Sequence, residues 1–215
     1  MVLLNDLSSR LTLDDPEERR VLSQVTWSEY EALLQALGEA SPYQVHYLDG
    51  VLEVLAPSRK HESGKTRIGT LLEIYFLEAD IEYFPMGSTT LRQAELQAGG
   101  EPDESYCIGQ DGEVPDLAIE VVVTSGSINR LELYRRLGVR EVWFWQGEKA
   151  ELSLRDRLSI YCYREDDSAL PETSGYEQVD RSEALPQLDI ELLTRCLQHP
   201  SPLAAAKAFR LGMGR

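Results

Sequence analysis

Apolar and polar residues follow two different periods in the first half of the chain. In "TWSEYEALLQALGEAS" the apolar positions recur at helical spacing, and Thr26 with Glu29 has the spacing of a capping box. "YQVHYLDGVLEVLAP" instead alternates on either side of Asp49-Gly50, which predicts an antiparallel hairpin. Helical spacing returns from about Lys60 to Ala79. This part of the chain is therefore predicted to fold as helix, hairpin and long helix.

The second half predicts several strands and shorter helices. "IEYFPMGSTTLRQ" and "EPDESYCIG" are strand candidates, with "QAGGEP" as a turn between them. "PDLAIEVVVTSG" is another strand, "SINRLELYRRLG" a helix, and "VREVWFWQ" the next strand. "AELSLRDRLSIYCYRED" resembles a hairpin turning near Asp156, Asp166 to Gly175 a polar loop, and "SEALPQLDIELLTRCL" a closing helix. This order indicates an α/β or α+β domain with a mixed sheet flanked by helices.

Length and composition favour one folded domain. A chain of 215 residues with 42% hydrophobic content is long enough for one sizeable core. We expect an arm, one domain and a helical tail, at residues 1–25, 26–198 and 199–215. The sequence predicts no membrane span, and its first residues do not resemble a secretory signal, so a cytoplasmic location is expected.

Net charge limits the possible partners. A net charge of −16 opposes binding to nucleic acid, because that binding depends on Lys and Arg neutralising phosphates. Any DNA-binding surface would need a local basic patch, and "SRKHESGKTR" at residues 58–67 is the best candidate. That segment is equally typical of a solvated loop and helix start.

Cysteine and histidine patterns do not indicate a disulfide framework or a zinc site. The three cysteines, Cys107, Cys162 and Cys196, are widely spaced and form no CxxC pair. They are interpreted as reduced thiols. The three histidines are equally scattered, so the sequence favours neither a His-rich metal site nor a Cys/His nucleophile pair.

Glu120 is the residue that most needs an explanation. It interrupts the apolar run from Leu117 to Val123, and the period of a strand places it beside Ala118 and Val122. A lone buried carboxylate costs several kcal/mol unless it is compensated. Glu120 therefore meets water, pairs with a cation or binds a ligand.

Asp103 is the best candidate partner for Glu120. If "EPDESYCIG" pairs with the strand that carries Glu120, the two carboxylates lie on neighbouring strands about 4.8 Å apart. One divalent ion between their oxygens is then the outline of a hydrolytic metal site. Asp116 is too far along the same strand to share that ion, and it is more typical of a turn residue after Pro115.

Several motifs in this order resemble a known family. "YLDGVLEVLAPSRKHE", "EPDESY", "PDLAIEVV" and "LYRRLGVREVWFW", over about residues 26–162, resemble the Uma-two family, a branch of the PD-(D/E)XK nuclease superfamily. The resemblance implies a restriction-endonuclease-like core: a mixed β-sheet flanked by helices, here with an N-terminal helix and β-hairpin. It also implies Mg²⁺ as cofactor, with Mn²⁺ as a substitute.

The resemblance assigns roles to individual residues. Asp103 corresponds to the aspartate of the PD element, Glu120 to the acid of the (D/E)XK element, and Glu62 to the acid of the first helix. These three would hold the metal. The superfamily lysine is expected at the position of Val122, and relatives that move it to the following helix would place it at Arg130.

The predicted chemistry is metal-assisted phosphodiester hydrolysis with Glu62, Asp103, Glu120 and Arg130 as catalytic residues. Arg130 keeps the positive charge of the superfamily lysine but is too weak an acid to serve as a base, and Lys65 is the alternative. Structural alternatives exist for the others: Glu62 as a first-turn acid, Arg130 as a helix-surface charge and Asp103 as a turn residue.

Two other functions are compatible with the sequence. One is a catalytically decayed nuclease-like module that acts as a regulatory or protein-interaction subunit, which Val122, Arg130 and the net charge favour. The other is an enzyme that acts on a small substrate with the same metal site. "VWFW" is interpreted as a core and interface strand, which would suit a homodimer.

Overall fold

The computed structural model describes residues 17–38, 41–124, 126–147, 157–165 and 175–214. The strands of these segments are β1 Glu18–Leu22, β2 Gln44–Leu48, β3 Val51–Ala56, β4 Tyr83–Pro85, β5 Leu91–Gln93, β6 Ala98–Gly100, β7 Glu104–Ile108, β8 Leu117–Val121, β9 Glu141–Trp145, β10 Leu158–Arg164 and β11 Gly175–Val179. The helices are α1 Trp27–Leu37, α2 Arg59–Ala79, α3 Arg130–Leu137, α4 Ile190–Leu197 and α5 Pro202–Gly212.

The described residues form two compact units. Unit 1 is drawn from Met1–Glu62, Thr90–Glu101 and Val123–Leu137, and unit 2 from Ser63–Thr89, Pro102–Val122 and Gly138–Arg215. The boundaries predicted from the sequence, with a single domain at residues 26–198, stay a prediction.

Unit 1 is built on a five-stranded antiparallel sheet in the order β1-β3-β2-β6-β5. Helix α1 begins at the predicted capping box: Thr26 Oγ1 accepts from the Glu29 N–H, and the Glu29 carboxylate accepts from the Thr26 N–H. Tyr30 and Leu33 pack on one face of the sheet. The predicted hairpin is confirmed, with both turn residues at positive φ, and its strands supply most of the core under α1.

Residues 98–100 correct the prediction of a turn in "QAGGEP". They form β6, which pairs with β2 and β5. A Cβ at Gly99 would overlap the Tyr30 ring on one face, and a Cβ at Gly100 would lie 2.8 Å from Leu133 on the other. Glycines are therefore needed here because helices pack closely on both sides of the strand, not because the chain turns.

The N-terminal arm contains a strand. Within the predicted arm at residues 1–25, Glu18–Leu22 pairs antiparallel with β3 and forms an edge of the sheet in unit 1. The register sets Val21 opposite Glu53 and Arg19 opposite Leu55, so Arg19, Val21 and Glu53 lie on one face of the sheet.

Unit 2 is built on a six-stranded mixed sheet in the order β11-β10-β9-β8-β7-β4. Strands β8 and β9 are parallel, whereas the other neighbours are antiparallel. Trp143 and Trp145 of β9 are buried, which confirms the core role predicted for this strand. Helix α2 packs closely on one face of the sheet: a Cβ at Gly64 would lie 3.0 Å from Val121, and one at Gly69 would lie 3.3 Å from the Tyr106 hydroxyl.

The C-terminal part of unit 2 is helical, as predicted. Helices α4 and α5 pack on each other, and Gly212 of α5 lies against Leu192 of α4. The hairpin turn predicted near Asp156, and most of the polar loop predicted from Asp166 to Gly175, lie outside the described residues. None of the helices in the described segments combines the length and the apolar character that a membrane crossing requires.

Candidate active site

Asp103 and Glu120 lie side by side on neighbouring strands of unit 2. Strand β7 pairs antiparallel with β8, with Glu104 opposite Ile119, so continuing the register by one residue places Asp103 opposite Glu120. Residues in that relation have Cα atoms about 5 Å apart and side chains on the same face. The adjacency that was expected from the two sequence segments is confirmed.

Backbone contacts fix the position of Asp103. Its N–H donates to the Ile119 carbonyl at 3.0 Å, and its Oδ2 accepts from the Val121 N–H at 2.6 Å. Asp103 is 1% exposed and Glu120 is 7% exposed. One carboxylate oxygen of Asp103 therefore extends the hydrogen bonding between β7 and β8 beyond the start of β7. These contacts hold the carboxylate next to Glu120.

The two carboxylates lie on the face of the sheet that α2 does not cover. Val121 and Tyr106 contact the glycines of α2, so by the alternation of side chains Glu120 and Asp103 point to the opposite face. On β9 the residue beside Glu120 is Phe144, which is half-buried. The pair is thus buried among sheet side chains while Glu120 keeps a small exposed fraction.

Glu62 differs from the other two carboxylates. It is exposed, whereas the residues of its helical stripe, Gly69, Leu72 and Phe76, are buried. Gly69 contacts Tyr106 and Glu104, on the face opposite Asp103 and Glu120, so the shared stripe does not by itself direct Glu62 toward them. Its role as a third ligand stays a prediction.

A two-carboxylate site is compatible with Mg²⁺. Among the residues that the structure describes, no group of three or more His, Cys, Asp or Glu side chains is arranged to hold a metal ion. Mg²⁺ usually keeps several waters and is bound through one or two carboxylates plus substrate phosphates. The carboxylate oxygens of Asp103 and Glu120 match that requirement, so the protein does not need to supply three or four ligands, as it does for Zn²⁺.

Asp116 is a structural residue, in agreement with its interpretation as a turn residue. Its Oδ2 accepts from the Ile108 N–H at 2.8 Å, and its backbone N–H donates to the Tyr106 carbonyl at 3.0 Å. Both contacts fix the connection between β7 and β8.

Arg130 is part of a buried ionic cluster in unit 1. Its Nη2 donates to Glu53 Oε1 at 2.7 Å, and the same carboxylate accepts from Arg19 Nη1 and, at 2.6 Å, from the Ser127 N–H. The Glu53 side chain is fully buried, while those of Arg19 and Arg130 are 16% and 12% exposed. Burial raises the pKa of Glu53, but the charge of Arg130, the Ser127 hydrogen bond and the charge of Arg19 together hold it below its usual value.

The cluster continues from Arg19 to a histidine. Arg19 Nη2 lies 3.3 Å from Glu17 Oε1, and Glu17 Oε2 lies 3.0 Å from His61 Nδ1. The Thr124 hydroxyl donates to Glu17 Oε1 at 2.5 Å. Burial raises the pKa of Glu17, but hydrogen bonds from His61 and Thr124 and the nearby positive charges lower it overall.

His46 is a buried neutral histidine beside this cluster. It lies opposite Glu53 in the register of β2 and β3, and its Nε2 is 3.0 Å from the Glu101 carbonyl. Burial and then the positive charge of Arg130 hold its pKa well below the usual value. The Nε2 atom therefore carries the proton in this hydrogen bond.

Four residues of this cluster were not predicted from the sequence: Glu53, Arg19, Glu17 and His61. The signal for Glu53 was present, because "VLEVLA" places an acid between apolar residues of a strand just as "LAIEVV" does for Glu120. The same question about a compensating partner applied to it. The partners were not recognisable, because Arg19 and Arg130 are 34 and 77 residues away in the chain.

The predicted basic patch at residues 58–67 is partly structural. Arg67 Nη1 donates to the Leu197 carbonyl at 3.0 Å and to the His199 carbonyl at 2.7 Å, at the C-terminal end of α4. A cation is favourable at that end of a helix. Arg59 and Lys60 are exposed and Lys65 is half-buried, so Arg59 and Lys60 are the basic members of the patch that are most open to solvent.

The fold and the acidic pair define a restriction-endonuclease-like protein: a mixed sheet flanked by helices, with two carboxylates on adjacent strands. A family model described as "Uma2: Putative restriction endonuclease" matches residues 27–194, well over half of the chain. The chain belongs to this family. No curated protein matches the chain.

The pairing of Glu53 predicts an acid-sensitive contribution to stability. A carboxylate whose pKa is lowered by folding stabilises the protein above its unfolded-state pKa of about 4.3, and this stabilisation is lost as the pH falls through the lower folded-state pKa. The difference in the free energy of unfolding between wild type and Glu53→Gln should therefore be largest near neutral pH and should shrink below about pH 4. Urea denaturation at several pH values measures it. A difference that does not change with pH would show that the Glu53 charge contributes nothing.

Proposed function

We propose that this protein is a metal-dependent endonuclease that hydrolyses phosphodiester bonds of nucleic acid, with DNA as the expected substrate. The observation that carries the proposal is the juxtaposition of Asp103 and Glu120 on β7 and β8. Membership of the family described as "Putative restriction endonuclease" supports the reaction class.

Asp103 and Glu120 would hold Mg²⁺, or Mn²⁺ in its place. When bound, the ion would lower the pKa of a water ligand and polarise the phosphoryl oxygen. Asp103 is suited to this role because its backbone contacts fix one carboxylate oxygen and thereby orient the group. Arg130 would neutralise negative charge on the phosphate. Glu62 would bind the metal ion directly or through a water molecule.

The absence of a lysine at Val122 is compatible with this chemistry. A metal-activated water needs no side-chain base, and an arginine keeps its charge at any pH at which the enzyme would work. A catalytically decayed module stays the alternative that the experiment must exclude.

The test is a calorimetric titration of the wild-type protein with Mg²⁺ and Mn²⁺, beside incubations with plasmid DNA, single-stranded DNA and RNA. We expect binding of the metal and cleavage of at least one DNA substrate that EDTA abolishes. Metal binding without cleavage of any nucleic acid would favour the decayed module. Cleavage that persists in EDTA would contradict the metal-dependent mechanism.

A further inference from the structure

The ionic cluster of unit 1 is a linear series of alternating basic and acidic side chains. It runs from His61 to Glu17, Arg19, Glu53 and Arg130, with each neighbouring pair in contact. Glu17 and Glu53 are the two buried carboxylates, and each lies between two basic side chains. Arg130 is the last of these five side chains along the series.

Glu53 holds the Arg130 guanidinium through Nη2. Glu53 Oε1 accepts from its Nη2, and Glu53 is itself fixed by Arg19 and by the Ser127 N–H of the segment that leads into α3. Gly126 allows this segment to approach, because a Cβ there would lie 2.8 Å from Arg19 Nη1. The carboxylate is covered on all sides, whereas the Arg130 side chain keeps 12% exposure.

We propose that Glu53 is a positioning residue that orients the Arg130 guanidinium for contact with a phosphate of the nucleic acid backbone. This inference rests on the proposed function, because it takes nucleic acid as the ligand. A guanidinium has five N–H donors in one plane, so a carboxylate bound to one edge fixes the direction in which the rest of the group points. A lysine ammonium has no such plane, which explains an arginine where the family resemblance expects a lysine.

The experiment measures binding separately from cleavage. A fluorescein-labelled DNA duplex is titrated in EDTA with wild type, Glu53→Gln, Arg130→Gln and the double variant, by fluorescence anisotropy over a range of salt concentrations. Each single variant should bind about tenfold more weakly, as expected for loss of one charge-assisted hydrogen bond. Each should also reduce the slope of log K against log salt by about 0.9, the value for one phosphate contact.

The double variant tests whether Glu53 acts through Arg130. If it does, the double variant binds no more weakly than Arg130→Gln alone, because the orientation of an absent guanidinium cannot matter. Additive losses would overturn the inference. Glu132→Gln is the matched control: it removes a carboxylate that pairs with Arg135 and Arg136 on the same helix, and it should leave binding unchanged.

Arg130→Lys keeps the test valid if Glu53→Gln folds poorly. The lysine preserves the charge but lacks the plane that Glu53 orients, so binding should fall nearly as far as in Arg130→Gln. A lysine variant that binds like wild type would overturn the inference.

The outcomes separate the two proposals. Wild-type cleavage together with unchanged binding in Glu53→Gln and Arg130→Gln would overturn the inference and leave the endonuclease proposal intact. Coupled binding losses in a protein that cleaves nothing would support the inference and contradict the hydrolytic proposal. A wild-type protein that binds no DNA in EDTA would overturn the inference, while the cleavage assays with Mg²⁺ and Mn²⁺ would still decide the endonuclease proposal.

Discussion

Glu120→Gln is expected to abolish metal-dependent cleavage while the protein stays folded. The substitution keeps the shape of the side chain but removes its charge, and Mg²⁺ strongly prefers charged oxygen ligands. Because mutation of the outer partners of metal ligands already costs about 10–100-fold in affinity or activity, loss of a ligand should cost more than about a hundredfold. Cleavage rates and calorimetric metal titration of the same samples measure the effect.

Glu104→Gln is the matched control for this prediction. Glu104 is the next residue after Asp103 and lies on the other face of β7, beside Gly69 of α2. Its substitution changes the net charge by the same amount, so an effect of charge alone would appear in both variants. Equal cleavage by wild type and Glu120→Gln would remove Glu120 from the site, whereas equal losses in both variants would indicate a nonspecific effect.

The sequence predicted the parts of the fold that depend on local chemistry. The capping box at Thr26, the Asp49-Gly50 turn and the helical spacing of α2 each act within a few residues, and all three elements form as predicted. The pairing of β7 with β8, which the sequence offered as the condition for Asp103 to meet Glu120, is present in the structure.

The elements that were missed depend on contacts between distant parts of the chain. The two glycines of β6 resemble a turn unless the residues that pack on them are known. Tyr30 packs on Gly99 from 69 residues away in the chain (99 − 30), and Leu133 packs on Gly100 from 33 residues away (133 − 100). Strand β1 likewise pairs with β3 across more than thirty residues, as the register of Arg20 with Val54 shows (54 − 20 = 34). No local pattern encodes such partners.

In the candidate site, too, local sequence identified a residue but not its distant partners. The acid in "LAIEVV" was singled out because its strand offered no local compensation, and the same argument applied to Glu53 would have identified a second buried acid. The sequence does not show which groups compensate the charge of each buried acid. Glu53 is compensated by two arginines and a backbone N–H, whereas Glu120 lies beside another carboxylate. Two carboxylates on adjacent strands can hold one divalent ion between their oxygens, which is why the metal proposal concerns Glu120 and not Glu53.

Glu53→Ala is expected to cause a large loss of stability in unit 1. Removing one partner of a buried ion pair leaves an uncompensated charge and typically costs about 3–5 kcal/mol, and Glu53 is shared by Arg19 and Arg130. The loss would be a large share of the roughly 5–15 kcal/mol that stabilises a typical domain, so partial unfolding at physiological temperature is expected. Urea denaturation followed by circular dichroism measures it.

Glu132→Ala is the control, because the Glu132 pairs with Arg135 and Arg136 are solvent-accessible and should contribute about 0–1 kcal/mol. If both alanine variants lost the same small amount, the Glu53 cluster would contribute no more stability than a surface ion pair, and Glu53 would not hold Arg130 firmly enough to orient it.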